Sequence, residues 1–343
     1  MMRQVNMIEF GKLVVEDADM PVPGPGQVRI AVKACGICGS DVHAFRGEHP
    51  FISAPIVPGH EFSGTIDALG QGVEGFEIGQ KVTVEPSLVC GECEMCLSGL
   101  YNICENLKVL GCQATGAMAE MITVPAEKVI PLPRDLSYEE GTLIEPTAVA
   151  VHALRRADLD RVERLLVIGA GPIGLQTLQV AHAWGIPTIV VTDVVDRKLA
   201  IAKEMGATHT VNVVDETLSD FMTGEFGKSN PMDLVMECVG LEQTLLQAIE
   251  TVKKGGQIVI VGVPPADPHI RLSWVQDREL DLRGTLMYRR PDFEEARDLI
   301  ASGRIQTEPL ITARYPMESI AEAMDELLSH PENNLKTLIT IGA

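Results

Sequence analysis

Apolar residues recur along this chain in two rhythms, and the change between them divides it. Over roughly the first 135 residues the rhythm is short alternation broken by glycine and proline. After the PVPGPG turn, Val28, Ile30 and Val32 fall on one face of a strand. The stretch GTIDALGQGVEGFEIGQKVTVEP carries turn residues every few positions, with Val82 and Val84 in one of its strands, and EMITVP and KVIPLP alternate again. Turn signals this frequent predict a small, irregular β-barrel. LSYEEGTLIEPTAVAVHALRRADL then takes a helical period, opened by Ser137 with Glu140 three residues on, the spacing of a capping box.

From Arg164 buried strands alternate with helices. RLLVIG is followed by a helix to about Trp184, and TIVVTD by a helix over 196–205. Strands near HTVNV and in MDLVMECVG, a helix over 242–253, and strands QIVIVGVP and DLRGT complete the series. Six strands with crossover helices predict a doubly wound parallel sheet, so the fold class is α/β. Beyond Gly284, a helix over 292–302, a strand near Ile311, a helix over 318–329 and the strand KTLITI no longer fit that sheet. The C-terminus is therefore expected to return to the first domain.

Bulk properties narrow the function. A chain of 343 residues exceeds a usual single core, which agrees with two domains. Aromatics are only 4% against 45% apolar residues, so the cores must be aliphatic. The net charge of −20 argues against a nucleic-acid partner and against an anionic membrane surface. No uncharged apolar run approaches ~18 residues, and MMRQVNMIEFGKL lacks the order of a signal peptide, so a soluble cytoplasmic protein is expected. Eight cysteines in such a chain suggest metal or redox chemistry before disulfides.

The chemistry gathers between Cys35 and Glu61, in CGICGSDVH and PGHE. Cys38, His60 and Glu61 form a mixed S/N/O set that suits zinc, and fewer than four protein ligands leave the open position of a catalytic site. Gly36 and Gly39 allow a tight turn there. Ser40 and His43 could pass a proton outward, or serve only as a helix N-cap and an exposed histidine. Cys35 reads as structural. Further on, Cys90, Cys93, Cys96 and Cys104 are spaced C-x2-C-x2-C-x7-C. Four thiolates so close can close a structural zinc shell; an iron–sulfur cluster is the competing reading. Glu145, a carboxylate in an apolar stretch before Pro146, is a metal ligand, a metal partner or a surface-facing helix residue.

GAGPIG follows a strand, opens a helix and precedes Asp193, 19 positions past its last glycine. Gly169 permits the turn, Gly171 lets backbone approach a pyrophosphate, Gly174 lets helix meet sheet, and the helix N-terminus is the anion site. Asp193 would accept ribose hydroxyls and favour NAD over NADP, against which stand the nearby Arg197 and Lys198. Arg289 and Arg290 could hold a substrate carboxylate bidentately. Cys112 and Cys238 fall in no motif, His152 reads as core, and His209 as a surface-loop residue.

Taken in order, CGICGSDVH, GHEFSG, the four-cysteine lobe, LIEP and GAGPIG make the chain similar, over essentially its whole length, to the zinc-dependent medium-chain dehydrogenase/reductases. The resemblance implies a GroES-like β-barrel catalytic domain over 1–147 and 288–343, with a metal lobe at 88–106, and a Rossmann NAD-binding domain over 148–287. It is strongest to the polyol and sugar-acid members, the L-galactonate and L-idonate 5-dehydrogenases, with sorbitol and threonine dehydrogenases as near relatives. On it, Cys38, His60 and a carboxylate, Glu61 or Glu145, hold a catalytic zinc, and the four-cysteine lobe holds a structural one. Gly169, Gly171, Pro172, Ile173, Gly174, Asp193, Arg197, Val239, Val261, Gly262 and Val263 are implied to contact NAD. The implied reaction oxidises a secondary alcohol of a polyol or sugar acid to the ketone, with the proton leaving through Ser40 and His43. L-Threonine is the alternative substrate, and a homotetramer is the implied assembly. A zinc-free enone or quinone reductase and a noncatalytic NAD-binding protein are the other readings; the full ligand set opposes the first and the Ser40/His43 pair the second.

Overall fold

The computed structural model describes residues 1–264 and 266–342 and divides into two compact units. One comprises Met1–Glu145, Arg289–Ala301 and Thr307–Ala343; the other comprises Pro146–Tyr288 and Ser302–Gln306.

The first unit is built on the strand Gln27–Ile37. Its antiparallel neighbours are Glu61–Leu69, Met121–Pro125 and Lys336–Thr340. The sheet continues through Lys81–Val84 to Val129–Pro131 on one side and through Lys336–Thr340 to Ile311–Pro316 on the other. Val28, Ile30 and Val32 point into a core shared with Phe62, Ile66, Val82, Val84, Val124 and Val129, as alternation requires. The register shifts between Arg29 and Ile30 and again between Val32 and Ala34. Past the second shift the alternation ends, and Ala34, Cys35, Gly36 and Ile37 are all buried. A bulge of this kind re-aims the end of a strand, here the end that leads to Cys38.

The second unit holds a six-stranded sheet in the order His209–Asn212, Thr188–Asp193, Arg164–Ile168, Met232–Glu237, Val252–Ile260, Asp281–Gly284. Every pairing is parallel. The first strand in sequence is central, with later strands added on either side of it. That reversal of order is the switch point at whose carboxyl ends such sheets bind ligands.

Four expectations need correction. The helical stretch after Ser137 is two helices, Tyr138–Thr142 and Ile144–Arg155. Pro146 cannot donate a hydrogen bond to the Thr142 carbonyl, so one continuous helix is interrupted there. The helix Glu242–Thr251 passes directly into the strand Val252–Ile260 instead of reaching 253. Ser302–Gln306 associates with the second unit, where Gln306 exchanges two hydrogen bonds with the Gln179 side chain. His209 is not a surface-loop residue: it opens an edge strand, its ring lies edge-on to Phe221 and Phe226, and Nε2 is 3.1 Å from Glu225.

Candidate functional site

Cys38 ends the central strand's excursion in extended backbone and caps the helix Gly39–Phe45, its N–H donating to Asp41 Oδ2 at 2.9 Å. His60 and Glu61 enter from the adjacent strand after Gly59, whose φ is +98°. A side chain on Gly59 would meet Cys35 Sγ and the Met118 side chain, so only glycine brings His60 in here. Cys38, His60 and Glu61 each present one ligand atom within 4.8 Å of the others. His60 is 6% exposed and Glu61 1%.

The donor set fits a divalent ion of borderline softness. His60 Nδ1, Asp41 Oδ1 and Ser40 Oγ are buried without a hydrogen-bond partner, so this pocket of polar groups is not closed by the protein alone. Burial disfavours a charged His60, yet the Cys38 and Cys112 sulfurs and Asp41 hold its pKa well above the ordinary imidazole range. Positive charge is what the surroundings stabilise at this point.

Gly36 is no part of a turn. It lies inside the central strand opposite Glu61, and a Cβ there would overlap Glu61 Oε2. Across it stands Lys336, whose Nζ donates to Glu61 Oε1 at 2.7 Å and Oε2 at 2.6 Å. Lys336 was missed by sequence reasoning; its one signal is a lysine opening the otherwise apolar strand KTLITI. Glu145 is buried in the first turn of Ile144–Arg155 but stands outside the close trio, although its charge acts on Lys336. Cys112, without a role in the sequence, acts on His60 and raises its pKa. The backbones of Gly111 and Gly59 lie too close for a Cβ between them, which brings the residues that follow each glycine together.

Ser40 and His43 stand three apart on one helix face. Ser40 is not the N-cap, a position Cys38 holds. His43 is exposed, with Nδ1 3.3 Å from Glu48. Arg290 is fully engaged: its guanidinium binds Glu294 and the carbonyls of Glu127 and Val129, and its N–H meets the Tyr101 hydroxyl. Arg289 differs, with a buried Nε that makes no hydrogen bond.

The four-cysteine lobe brings its sulfurs together locally. Cys90 Sγ lies 3.5 Å from Cys104 Sγ and 3.9 Å from Cys96 Sγ, and Cys93 Sγ 3.9 Å from Cys104 Sγ. Four Zn–S bonds of 2.3 Å at tetrahedral angles separate sulfurs by about 3.8 Å, so these spacings fit a shell around one ion. N–H groups of Glu92 and Cys93 pull the Cys90 thiol down to about 6, while burial and the neighbouring sulfurs push Cys96 up to about 12. Ionising all four thiols this close together would need a cation among them.

In the second unit Gly169 has φ +97° and Gly171 caps the helix Pro172–Ala183, with Pro172 at its first position and Ile173 in its first turn. A Cβ on Gly174 would overlap the Gly169 carbonyl. Asp193 Oδ2 accepts the Ala170 N–H at 2.7 Å, and Oδ1 accepts those of Val194 and Val195. The carboxylate therefore ties the glycine turn to the next strand. Buried Glu237, also missed, does similar work: its carboxylate accepts the Val239 and Gly240 N–H groups, and its carbonyl those of Val261 and Gly262. Val239 and Val263 are exposed above it, while Arg197 lies in the helix Asp196–Glu204. Cys238 is half-buried, and its desolvation pushes the thiol far up.

Comparison with known proteins agrees with this geometry. Residues 24–134 match the alcohol dehydrogenase GroES-like domain and residues 172–302 the zinc-binding dehydrogenase domain. The chain is similar to L-idonate 5-dehydrogenase of Vitis vinifera, 35% identical over 88% of this chain and 84% of that protein. It is also similar to sorbitol dehydrogenase of Bacillus subtilis, 33% identical over 98% and 97%. A short chain alcohol dehydrogenase of Escherichia coli, solved in complex with NADH, superimposes with a TM-score of 0.92 at 30% identity over 99% of both chains.

Proposed function

We propose that this chain, which belongs to the zinc-binding dehydrogenases with an alcohol dehydrogenase GroES-like domain, oxidises a secondary alcohol of a polyol or sugar acid with NAD. It is an oxidoreductase with a GroES-like and a Rossmann domain, and its cofactors are zinc and a nicotinamide dinucleotide. The observation that carries the reading is the trio of half-buried Cys38 with buried His60 and Glu61, whose ligand atoms lie within 4.8 Å of one another.

Cys38, His60 and Glu61 would hold the catalytic zinc, with Glu145 as the further carboxylate, and the lobe cysteines the structural one. When bound, the catalytic zinc supplies Lewis acidity that lowers an alcohol's pKa, and the nicotinamide accepts hydride. Ser40 Oγ, buried and without a partner, accepts the alcohol's proton as its own hydroxyl proton passes outward. His43, one helical turn outward and exposed, releases it to solvent. Asp193, held by three amides, receives the adenosine ribose and disfavours a 2′-phosphate. Arg289 is the guanidinium left for a substrate carboxylate, which favours an L-idonate- or L-galactonate-like acid over a neutral polyol.

A panel of polyols, aldonates and L-threonine, each with NAD and NADP and followed by absorbance of the reduced cofactor, tests this. Turnover of an aldonate or polyol with NAD supports it. Turnover of L-threonine alone, or only with NADP, overturns the substrate or cofactor part. We extend the proposal to a homotetramer of the cytoplasm, the first part checked by sizing with light scattering. Among the described residues no helix is long and apolar enough to cross a membrane.

A further inference from the structure

We propose that Lys336 is a positioning residue of the metal centre: it clamps both oxygens of Glu61 and supplies a fixed positive charge, so that the ion stays loosely held and electrophilic. The proposal rests on the zinc reading of Cys38, His60 and Glu61.

All three ammonium donors are used, two on Glu61 and the third on the Ile37 carbonyl at 3.3 Å. The side chains of Lys336 and Glu61 are 4% and 1% exposed. Sheet register builds the clamp. Lys336–Thr340 runs against Gln27–Ile37 with Thr337 opposite Ile37 and Leu338 opposite Gly36, while Gly36 faces Glu61 on its other side. Because Gly36 has no side chain, the carboxylate reaches across the strand. The other buried lysine, Lys128, meets Glu85 at 3.4 Å through one oxygen and shares its ammonium with Ser87. Lys336 is the tighter and more symmetrical pair.

Stability does not account for it. An ion pair this buried loses hydration that an apolar pair of equal volume would not, and such replacements are often neutral or favourable. Charge does account for it. Cys38, Glu61 and Glu145 all act on the Lys336 ammonium, and buried Asp41 stands among the same groups, so acidic groups crowd this pocket. Lys336 is the fixed cation that offsets them. A Lewis acid quenched by its own ligands polarises substrate less.

The test compares zinc-loaded wild type with K336M and K336R, reading release of zinc to a chromophoric chelator. The catalytic zinc is identified as the fraction absent from C38S. K336M is expected to release it at least about tenfold more slowly and to turn over at least about tenfold more slowly. K336R is expected to stay near wild type in both. Equal or faster release from K336M, or unchanged turnover, overturns the proposal, since a merely structural lysine would loosen the site when removed. Should K336M fail to fold, E61Q/K336M, which strands no charge, must hold zinc more tightly than E61Q; equal retention overturns the proposal. Wild type with no Cys38-dependent zinc would sink the underlying reading. Normal wild-type zinc with insensitive variants sinks only the role of Lys336.

Discussion

The two candidate metal clusters of this chain are built in opposite ways. The lobe draws Cys90, Cys93, Cys96 and Cys104 from one short segment, with three of the four cysteines half-exposed and only short elements around them: the helices Glu94–Leu97 and Tyr101–Ile103 and the two-residue strands Ser87–Leu88 and Lys108–Val109. The Cys38–His60–Glu61 trio is mixed in chemistry, with His60 and Glu61 buried and Cys38 half-buried, and it depends on three adjacent strands of a large sheet. The lobe has few buried apolar residues of its own, so an ion held there would order it. The trio is ordered by the sheet, which would leave an ion held there free to act on something else. A structural site is thus closed by local sequence, and a chemical site is held open by the fold.

The sharpest way to break the comparison is Cys38→Ser. Several kcal/mol of transition-state stabilisation go with the ion, so turnover should fall about 10³-fold or more. Zinc should drop from two to one per chain, while cofactor binding and the thermal transition stay close to wild type. Metal analysis and cofactor fluorescence check both halves, and a protein that unfolds would equate the two clusters. Cys104→Ser should also leave one zinc but act through order. Metal binding worth ~10–16 kcal/mol in peptides is what holds such a lobe, so the segment around residues 88–106 should become the first site of limited proteolysis. Its loss of activity should be smaller than that of Cys38→Ser.

Glycine substitutions sharpen the contrast further. Gly36→Ala drives a methyl into Glu61 Oε2, and overpacking of this kind costs about 1–3 kcal/mol. Catalytic zinc should be lost with it. Gly91, in the lobe, has φ +76° and nothing within 4 Å of an added Cβ. Gly91→Ala should therefore cost only backbone strain, about 1 kcal/mol in denaturant melts, and keep both ions.

The smallest effect is a control in the second unit, which holds neither cluster. Burial would raise the Asp233 carboxyl's pKa, but Lys253 and the N–H groups of Arg164 and Glu163 outweigh it and hold it below the ordinary range. Its contribution is complete above the unfolded carboxylate pKa and is lost as pH falls through the lower folded value. Asp233→Asn should cost about 1 kcal/mol at neutral pH, and the difference from wild type should vanish in acid. Urea melts across that range would show it, with zinc unchanged.

Much of this was legible in the sequence wherever a feature repeats within a few residues. The lobe's spacing, the strand alternation around Val28–Val32, the capping box of Ser137 and Glu140, and the GAGPIG turn with Asp193 beyond it depend on backbone periodicity, which operates locally. Gly36 was assigned to a turn because a glycine's neighbours across a sheet cannot be read from its neighbours along the chain. Arg290 was offered to a substrate because the carbonyls of Glu127 and Val129 that bind it lie more than a hundred residues away in sequence.

The sequence by itself determined which elements form, that two kinds of sheet follow one another, and which side chains could ligate metal or dinucleotide. Only the tertiary structure decided that Glu61 joins Cys38 and His60 while Glu145 stands outside the trio. It alone put Cys112 beside His60, and Lys336 against a carboxylate 275 residues earlier. The physical reason is register: periodicity sets a residue's face, but the pairing of strands from opposite ends of the chain sets its partner.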